Sequence, residues 1–443
     1  MSRQTINSEI LRLAVPNVVS NLTVPLLGLA DVAVAGRIGS DVAIGALSVG
    51  TMVFNLVYWN CGFLRMSTSG LTAQSFGAQN WAECRRLLTR AVVLALALAT
   101  ILLAVRNPLT YLSLRIIDGD AGVLNMAHRY LTIRWFSVPA DILLFAFNGW
   151  FIGMQDSRTP MVIAIIGNVV NVGLNIFLSL HLGWGIDGIA TATLIAQYLS
   201  LLMAISVYML RYSPRLERVR FFSCFDRVSM RRFFCVNGNI FQRSLCVVAA
   251  YFIQTTVSAR FGAATLAANA LLMQLFTLFS YLQDGLAYAA EALCGRYLGA
   301  RNFAHLRAVV RHLALMCLTV MIIYGLVYVV AWRPVLMFFE PTEAVLEVAS
   351  HYIGWAIAVP LVSTLAFLLD GVLIGATQVS ILRNCTFVAL VSYVCMLAIT
   401  IPTVGNTGIW ISFLVFMLMR GVLLLKPTLR LIKGFSLENS SPN

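Results

Sequence analysis

The amino-acid sequence predicts an all-α integral membrane protein with about twelve transmembrane helices in two pseudo-symmetric halves of six. Three observations carry this. The 443 residues are 60% hydrophobic and 11% charged, with a mean hydropathy of +0.85. A soluble chain carries about a quarter charged residues, and no globule of this size could keep so much apolar surface from water. The apolar residues fall into stretches of about the twenty that a membrane helix needs, and short motifs in the first half recur in the second.

Breaks at Pro, Gly and Arg clusters place the spans near 13–36, 43–68, 88–106, 128–153, 160–181 and 187–210, then 236–260, 266–294, 310–331, 350–376, 384–403 and 408–426. Stretches longer than one crossing are accommodated by tilt or by extension beyond the bilayer. Of the 31 basic residues 29 are Arg, and many lie in runs between spans. Arg85, Arg86 and Arg90 follow the second span, Arg158 the fourth, Arg296, Arg301, Arg307 and Arg311 the eighth, and Arg383 the tenth. The stretch 211–235 holds Arg211, Arg215, Arg218, Arg220, Arg227, Arg231 and Arg232 against Glu217 and Asp226. Both ends are basic, through Arg3 and Arg12 and through Lys426, Arg430 and Lys433. The opposite side has Arg106, Arg115 and Arg333 but also Asp118, Asp120, Glu340, Glu343 and Glu347. The positive-inside rule then makes both termini cytoplasmic.

Gly77-Ala78-Gln79-Asn80 recurs as Gly299-Ala300-Arg301-Asn302, and Asn148-Gly149 through Gly153 as Asp370-Gly371 through Gly375, both at an offset of 222. Gly36-Arg37-Ile38-Gly39 parallels Ala259-Arg260-Phe261-Gly262 at 223, and Gly185-x-x-Gly188 parallels Gly405-x-x-Gly408 at 220. Four matches in register define two halves, 1–210 and 236–443, joined by a basic cytoplasmic linker at 211–235. Six spans per half is an even number, so both halves insert the same way, as in transporters built from parallel repeats.

The net charge of +13 is read as a topology signal, not as a nucleic-acid surface, because no basic face offers aromatics for base stacking. The nine cysteines are scattered, without C-x-x-C spacing or clustered histidines, which favours packing over metal binding or disulfides. The N-terminus runs from a polar start into a long apolar segment without a cleavage site, so no removable signal peptide is expected. The sequence lacks G-x-x-x-x-G-K-[ST], H-E-x-x-H and G-x-S-x-G, so ATP-driven and hydrolytic chemistry is not expected, and the chain is not read as an enzyme.

Five of the eighteen acids fall within or at the edge of spans: Asp31, Asp141, Asp284, Glu291 and Asp370. An acid at the middle of a membrane helix costs about 2.5–3.5 kcal/mol, so each should face a cavity or a partner. Arg65, Arg134, Arg243 and Arg296 are available as partners. Asp31 is the leading functional candidate, set among small residues on a span that also carries Pro16 and Pro25, whose missing N–H groups favour bending. A lone carboxyl group in apolar surroundings suits the uptake and release of a proton. Asp370 opens a small-xxx-small stretch. Asp284 and Glu291 lie seven residues apart on nearly one helical face, and either pairing or substrate contact accounts for them, with Arg296 five residues beyond Glu291. Asp141, after Pro139, reads as structural. Asn168, Asn171 and Asn175 form an amide stripe, which must face the protein interior. Some of the 48 aromatics are candidates to line a chamber for organic cations.

These residues resemble the multidrug and toxic compound extrusion (MATE) family, and its DinF-like branch in particular, through NLTVPLLGLADVAVAGRIGS (21–40), FLRMSTSGLTAQSFGAQN (63–80), QDGLAYAAEALCGRYLGAR (283–301) and LLDGVLIGAT (368–377). The resemblance implies two six-helix lobes in a V and export of small amphipathic, usually cationic compounds in exchange for protons or Na⁺. Asp31 falls on the family's first-helix aspartate, and Asn171 and Thr193 on polar members of the same cation site. Asn175 departs from the family, many of whose members have an aspartate there. That leaves a single acid and favours proton coupling over Na⁺. Asp370 matches a tenth-helix acid proposed to act in coupling or substrate binding.

The expected protein is thus a secondary antiporter of the bacterial inner membrane, monomeric, without cofactor other than its coupling ion, and with small organic substrates and the bilayer as its partners. Nucleic acid and ATP are not expected partners. The alternative is a flippase for a lipid-linked precursor, which would need central cations such as Arg65 and Arg243.

Overall fold

The computed structural model describes residues 3–38, 41–117, 119–337, 339 and 341–434, without the side chains of Arg3 and Gln4. The Arg3 side chain, Gly39, Asp118, Glu340 and the end of the expected second half (435–443) lie outside the described residues. Those described form helices α1 (Arg3–Arg37), α2 (Asp41–Cys61), α3 (Phe63–Gly77), α4 (Trp81–Ala104), α5 (Arg106–Ile116), α6 (Ala121–Arg134), α7 (Val138–Gly153), α8 (Arg158–Asn175), α9 (Ile186–Val207), α10 (Arg227–Ser258), α11 (Ala263–Gly299), α12 (Phe303–Met337), α13 (Glu343–Gly375), α14 (Val379–Val404) and α15 (Asn406–Ile432). Short 3-10 and π turns complete them, with no strand among the described residues.

Twelve helical stretches have the length and apolarity to cross a membrane, counting α2 with α3 and α6 with α7 as one each. All twelve expected spans are present. α2 and α3 meet at Gly62, whose backbone stays in the right-handed helical region. α6 passes into α7 through a 3-10 turn at Trp135–Ser137, and Pro139 follows in the first turn of α7, where no N–H is required. α1 is helical through both Pro16 and Pro25.

The internal repeat is visible in the backbone. α3 and α11 both end with a non-glycine residue in the left-handed region, Gln79 (φ 56°) and Arg301 (φ 53°). α7 and α13 end likewise at Gln155 (φ 63°) and Thr377 (φ 56°). Each is the pivot of a Schellman turn: the Asn80 N–H donates to the Ser75 carbonyl and the Asn302 N–H to the Tyr297 carbonyl, at 2.9 and 2.8 Å. Asn80 and Asn302 then cap the next helices by accepting from the Glu83 and His305 N–H groups at 3.0 and 3.1 Å. Gly185 (φ 58°) and Gly405 (φ 59°) introduce α9 and α15 with a conformation open to glycine.

By contacts the chain divides into a unit of Val19–Phe233 and a unit of Met1–Val18 with Phe234–Asn443. The division expected from sequence, 1–210 and 236–443, therefore differs at the start. The first half of α1 packs with the second unit, whose Arg296 and Tyr297 bind Glu9 at 2.6 and 2.7 Å. The first unit has aromatic cores around Trp150, Phe151 and Phe147 and around Tyr130. The second has one large core around Phe276, Phe279, Trp410 and Phe413.

The linker 211–235 is also shorter than expected, because α10 begins at Arg227. Asp226 starts that helix by accepting from the Ser229 N–H at 2.9 Å. Hydrogen bonds from the Ser229 backbone and side chain hold the Asp226 carboxyl below the usual carboxylate range. The linker is anchored by Arg90 of α4, which is buried. Arg90 pairs with Glu83 at 2.5 Å and Asp226 at 3.5 Å, and donates to the Cys224 carbonyl at 2.5 Å.

Candidate functional site

Asp31 lies in the last two turns of α1, half-buried. Asn171 and Asn175, one turn apart near the end of α8, present their amides on one face, and both are buried. Thr193 lies on α9, which comes close to α8 where Gly167 leaves room, since a Cβ there would meet the Ser200 Oγ at 2.3 Å. A linear chain of hydrogen bonds results. Asn175 Nδ2 donates to Asp31 Oδ1 at 2.5 Å and to Asn171 Oδ1 at 2.8 Å. Asn171 Nδ2 donates to Thr193 Oγ1 at 3.0 Å, and that hydroxyl donates to the Ile189 carbonyl at 3.0 Å. A π turn at Ile176–His181 follows Asn175 directly, and such turns are frequent at functional sites. Asn168, half-buried, stands outside the chain of bonds.

The chain leaves one buried acceptor, Asn175 Oδ1, without a hydrogen-bond partner among the described residues. An orphaned carbonyl beside a carboxylate has a defined use. When Asp31 is charged it accepts from Asn175; when protonated, its O–H becomes a donor for which Asn175 Oδ1 is a ready acceptor.

Sequence reading missed Tyr130 of α6, which is buried and interacts electrostatically with both Asp31 and Arg134. Its ring fills the space above Gly50, where a Cβ would come within 2.3 Å. Only the four-residue spacing of Tyr130 and Arg134 on one apolar helix hinted at this face. Arg134 also acts on Asp31 electrostatically. Its direct partners are Ser137 Oγ at 2.5 Å and Asp141 at 3.9 Å, and Asp141 further accepts from Tyr58 at 2.5 Å and Ser137 at 2.9 Å. Asp141 is therefore an ion-paired packing residue.

In the second unit Asp370 of α13 is not a lone acid. It accepts from Arg420 of α15 at 2.6 Å and from Arg243 of α10, all three being buried. Asp370 thus faces two arginines. Asp284, Arg243 and Arg420 all act electrostatically on the half-buried Tyr251. Glu291 is buried on α11, with its backbone carbonyl packed against Gly375. Arg296 pairs with Glu9 at 2.6 Å. Arg65 is buried on α3 in the first unit.

A family model described as MatE matches residues 16–177 and again 240–400, once in each half. The chain is 36% identical over 412 residues to "DNA damage-inducible protein F" of Escherichia coli K12, covering 93% of this chain and 89% of that protein. It is 23% identical over 429 residues to "Multidrug resistance protein NorM" of Vibrio vulnificus, covering 92% of each. A crystal structure of MATE in the bent conformation matches with a TM-score of 0.88 at 17% identity, over 99% of this chain and 98% of that one. An outward-facing multidrug resistance MATE family transporter of the MOP superfamily matches with a TM-score of 0.86 at 17% identity, over 97% of each.

Proposed function

The chain belongs to the MatE family, whose members are transporters and not enzymes, and from that premise we propose a proton-coupled antiporter that exports small amphipathic, cationic organic compounds. The observation that carries the coupling assignment is the chain from Asp31 through Asn175 and Asn171 to Thr193. It contains one carboxylate. A Na⁺ ion would be served by several hard oxygens, but the Asn171 and Thr193 oxygens already accept within the chain. Asp31 and Asn175 Oδ1 remain, which suffices for a proton.

In this reading, protonation of Asp31 reverses the direction of its hydrogen bond with Asn175. α1 transmits the change, aided by the missing backbone donors at Pro16 and Pro25. Asp370 acts through its pairs with Arg243 and Arg420, and removing the acid would leave buried cations uncompensated. Asp284, Glu291 and Arg65 remain candidates for substrate contact. We place the protein in the bacterial inner membrane as a monomer with both termini cytoplasmic, needing no cofactor beyond the coupling proton. Arg243 and Arg420 give the lipid-linked flippase reading no support, because both already pair with Asp370.

Purified protein in proteoliposomes under an imposed pH gradient tests the mechanism. Efflux of a fluorescent organic cation is expected for wild type and is expected to fall by about tenfold or more for Asp31→Asn, as for loss of an essential proton-transfer group. Full gradient-driven efflux by the variant would sink the assignment, and efflux driven by Na⁺ alone would replace the coupling ion.

A further inference from the structure

A second polar site lies away from Asp31, in the same unit. Between α5 and α6 is a cavity of about 340 Å³ lined by Arg106, Arg115 and His128 together with Asn107, Thr132 and Trp135, among others. None of its described lining residues is acidic. Arg106 and Arg115 sit at the first and last turns of α5, and neither has a carboxylate partner among the described residues. The neighbouring arginines of α6 are both engaged, Arg129 by Asp187 and Arg134 by Asp141. Arg106 is steadied by the Phe136 ring, 4.9 Å from its guanidinium carbon. The floor is fixed by Trp135 Nε1, which donates to Thr110 Oγ1 at 2.8 Å. Two arginines without a carboxylate partner among the described residues therefore line the same cavity, an arrangement suited to a phosphate.

The flank of the cavity points to the source of that phosphate. α5 is too short to cross a bilayer, and it follows directly on the end of the membrane helix α4. It also leaves Tyr111, Leu112 and Ile116 exposed at 66%, 54% and 72%. A short helix that carries arginines and leaves large apolar residues open is the pattern of an element lying in the membrane interface. Basic pockets beside membrane helices hold lipid headgroups by the same combination. We propose that this cavity binds the phosphodiester headgroup of an anionic phospholipid, with Arg106 and Arg115 on the phosphate and the acyl chains along Tyr111, Leu112 and Ile116. The bound lipid would clamp α5 onto α6 and so brace the helix that carries Tyr130.

The test uses the full-length purified protein in detergent, with thermal unfolding and native mass spectrometry as readouts. The probes are phosphatidylglycerol, phosphatidylcholine and inorganic phosphate. Phosphatidylglycerol is expected to raise the unfolding midpoint and to remain bound, with phosphatidylcholine and inorganic phosphate doing neither. The R106Q/R115Q pair is expected to weaken phosphatidylglycerol binding by about thirtyfold, at about a decade and a half for two interfacial cations. The R106K/R115K pair, which keeps both charges, should retain most of it. Monodisperse elution of both pairs shows that the fold survives. Equal binding of phosphatidylglycerol by wild type and R106Q/R115Q, or equal stabilisation by phosphatidylcholine, would overturn the proposal. Stabilisation by inorganic phosphate as large as that by the lipid would overturn the lipid assignment and leave a free-anion site.

Discussion

At the scale of single residues, the composition of the hydrogen-bonded chain that begins at Asp31 is set at Asn175. As an amide it donates twice, to Asp31 and to Asn171, and so joins the carboxylate to the rest of the chain. A carboxylate at the same position would place a second acid against Asp31, and two acids at that distance do not both ionise without a compensating cation. Asn175→Asp is therefore expected to make efflux Na⁺-responsive, with at least about a tenfold gain in apparent Na⁺ affinity, the equivalent of one good charge contact of about 1.4 kcal/mol. Wild-type efflux should ignore Na⁺. Efflux measured in proteoliposomes at fixed pH with Na⁺ varied decides it, and indifference of the variant to Na⁺ would remove the argument. Asp31, Asn171 and Asn175 were legible in sequence because a polar group costs so much in a membrane helix that its position is informative, whereas Thr193 was pointed to only by the family resemblance. Tyr130 was not, since a tyrosine among 48 aromatics carries no such cost and reveals itself only through its neighbours. Asp370 was legible as an acid but not as the centre of two ion pairs, because Arg243 and Arg420 are distant in sequence.

At the scale of elements, the spans could be read from apolar runs, whereas their ends could not. Arginines at 227–232 suggested loop, yet helical hydrogen bonding continues through charged turns once Asp226 has capped the start. Helix pairing rests on close backbone approaches that leave a clear signature. A Cβ on Gly149 of α7 would lie 2.3 Å from the Arg65 carbonyl oxygen on α3, and one on Gly371 of α13 2.5 Å from the Ala287 carbonyl oxygen on α11. Backbone oxygens within a packed pair do not yield as a side chain does. Gly149→Ala and Gly371→Ala are each expected to destabilise the protein by about 1–3 kcal/mol, the usual range for overpacking. Gly173 of α8 has nothing within 4 Å of its Cβ position. Gly173→Ala is therefore expected to be neutral or slightly stabilising, because alanine is the better helix former by up to about 1 kcal/mol. Thermal unfolding of the three variants in one detergent checks this; equal midpoints would show that the approaches at Gly149 and Gly371 do not hold the pairs together.

At the scale of the whole molecule, the repeat joins sequence, backbone and family match. The 222-residue offset that relates Gly77 to Gly299 also relates Gln79 to Arg301, Gln155 to Thr377, and the Gly149–Arg65 approach to that of Gly371 and Ala287. One family model matches both halves. What the offset could not reveal is that α1 belongs to both units, its residues up to Val18 to one and those from Val19 to the other. That assignment depends on long-range contacts such as Glu9 with Arg296 and Tyr297. Twelve crossings return the chain to the side on which it began. The arginine-rich segments then share that side, and from the positive-inside rule we propose that it is the cytoplasmic one, even where Arg90 is consumed in holding the linker. Short epitope tags at the two termini are expected to stay hidden from antibody in intact spheroplasts, whereas a tag inserted after the exposed Gly119, between α5 and α6, is expected to be reached. Accessible termini would invert the orientation. Termini on opposite sides would mean that one of the twelve helices does not cross, which the parallel repeat of six and six does not allow.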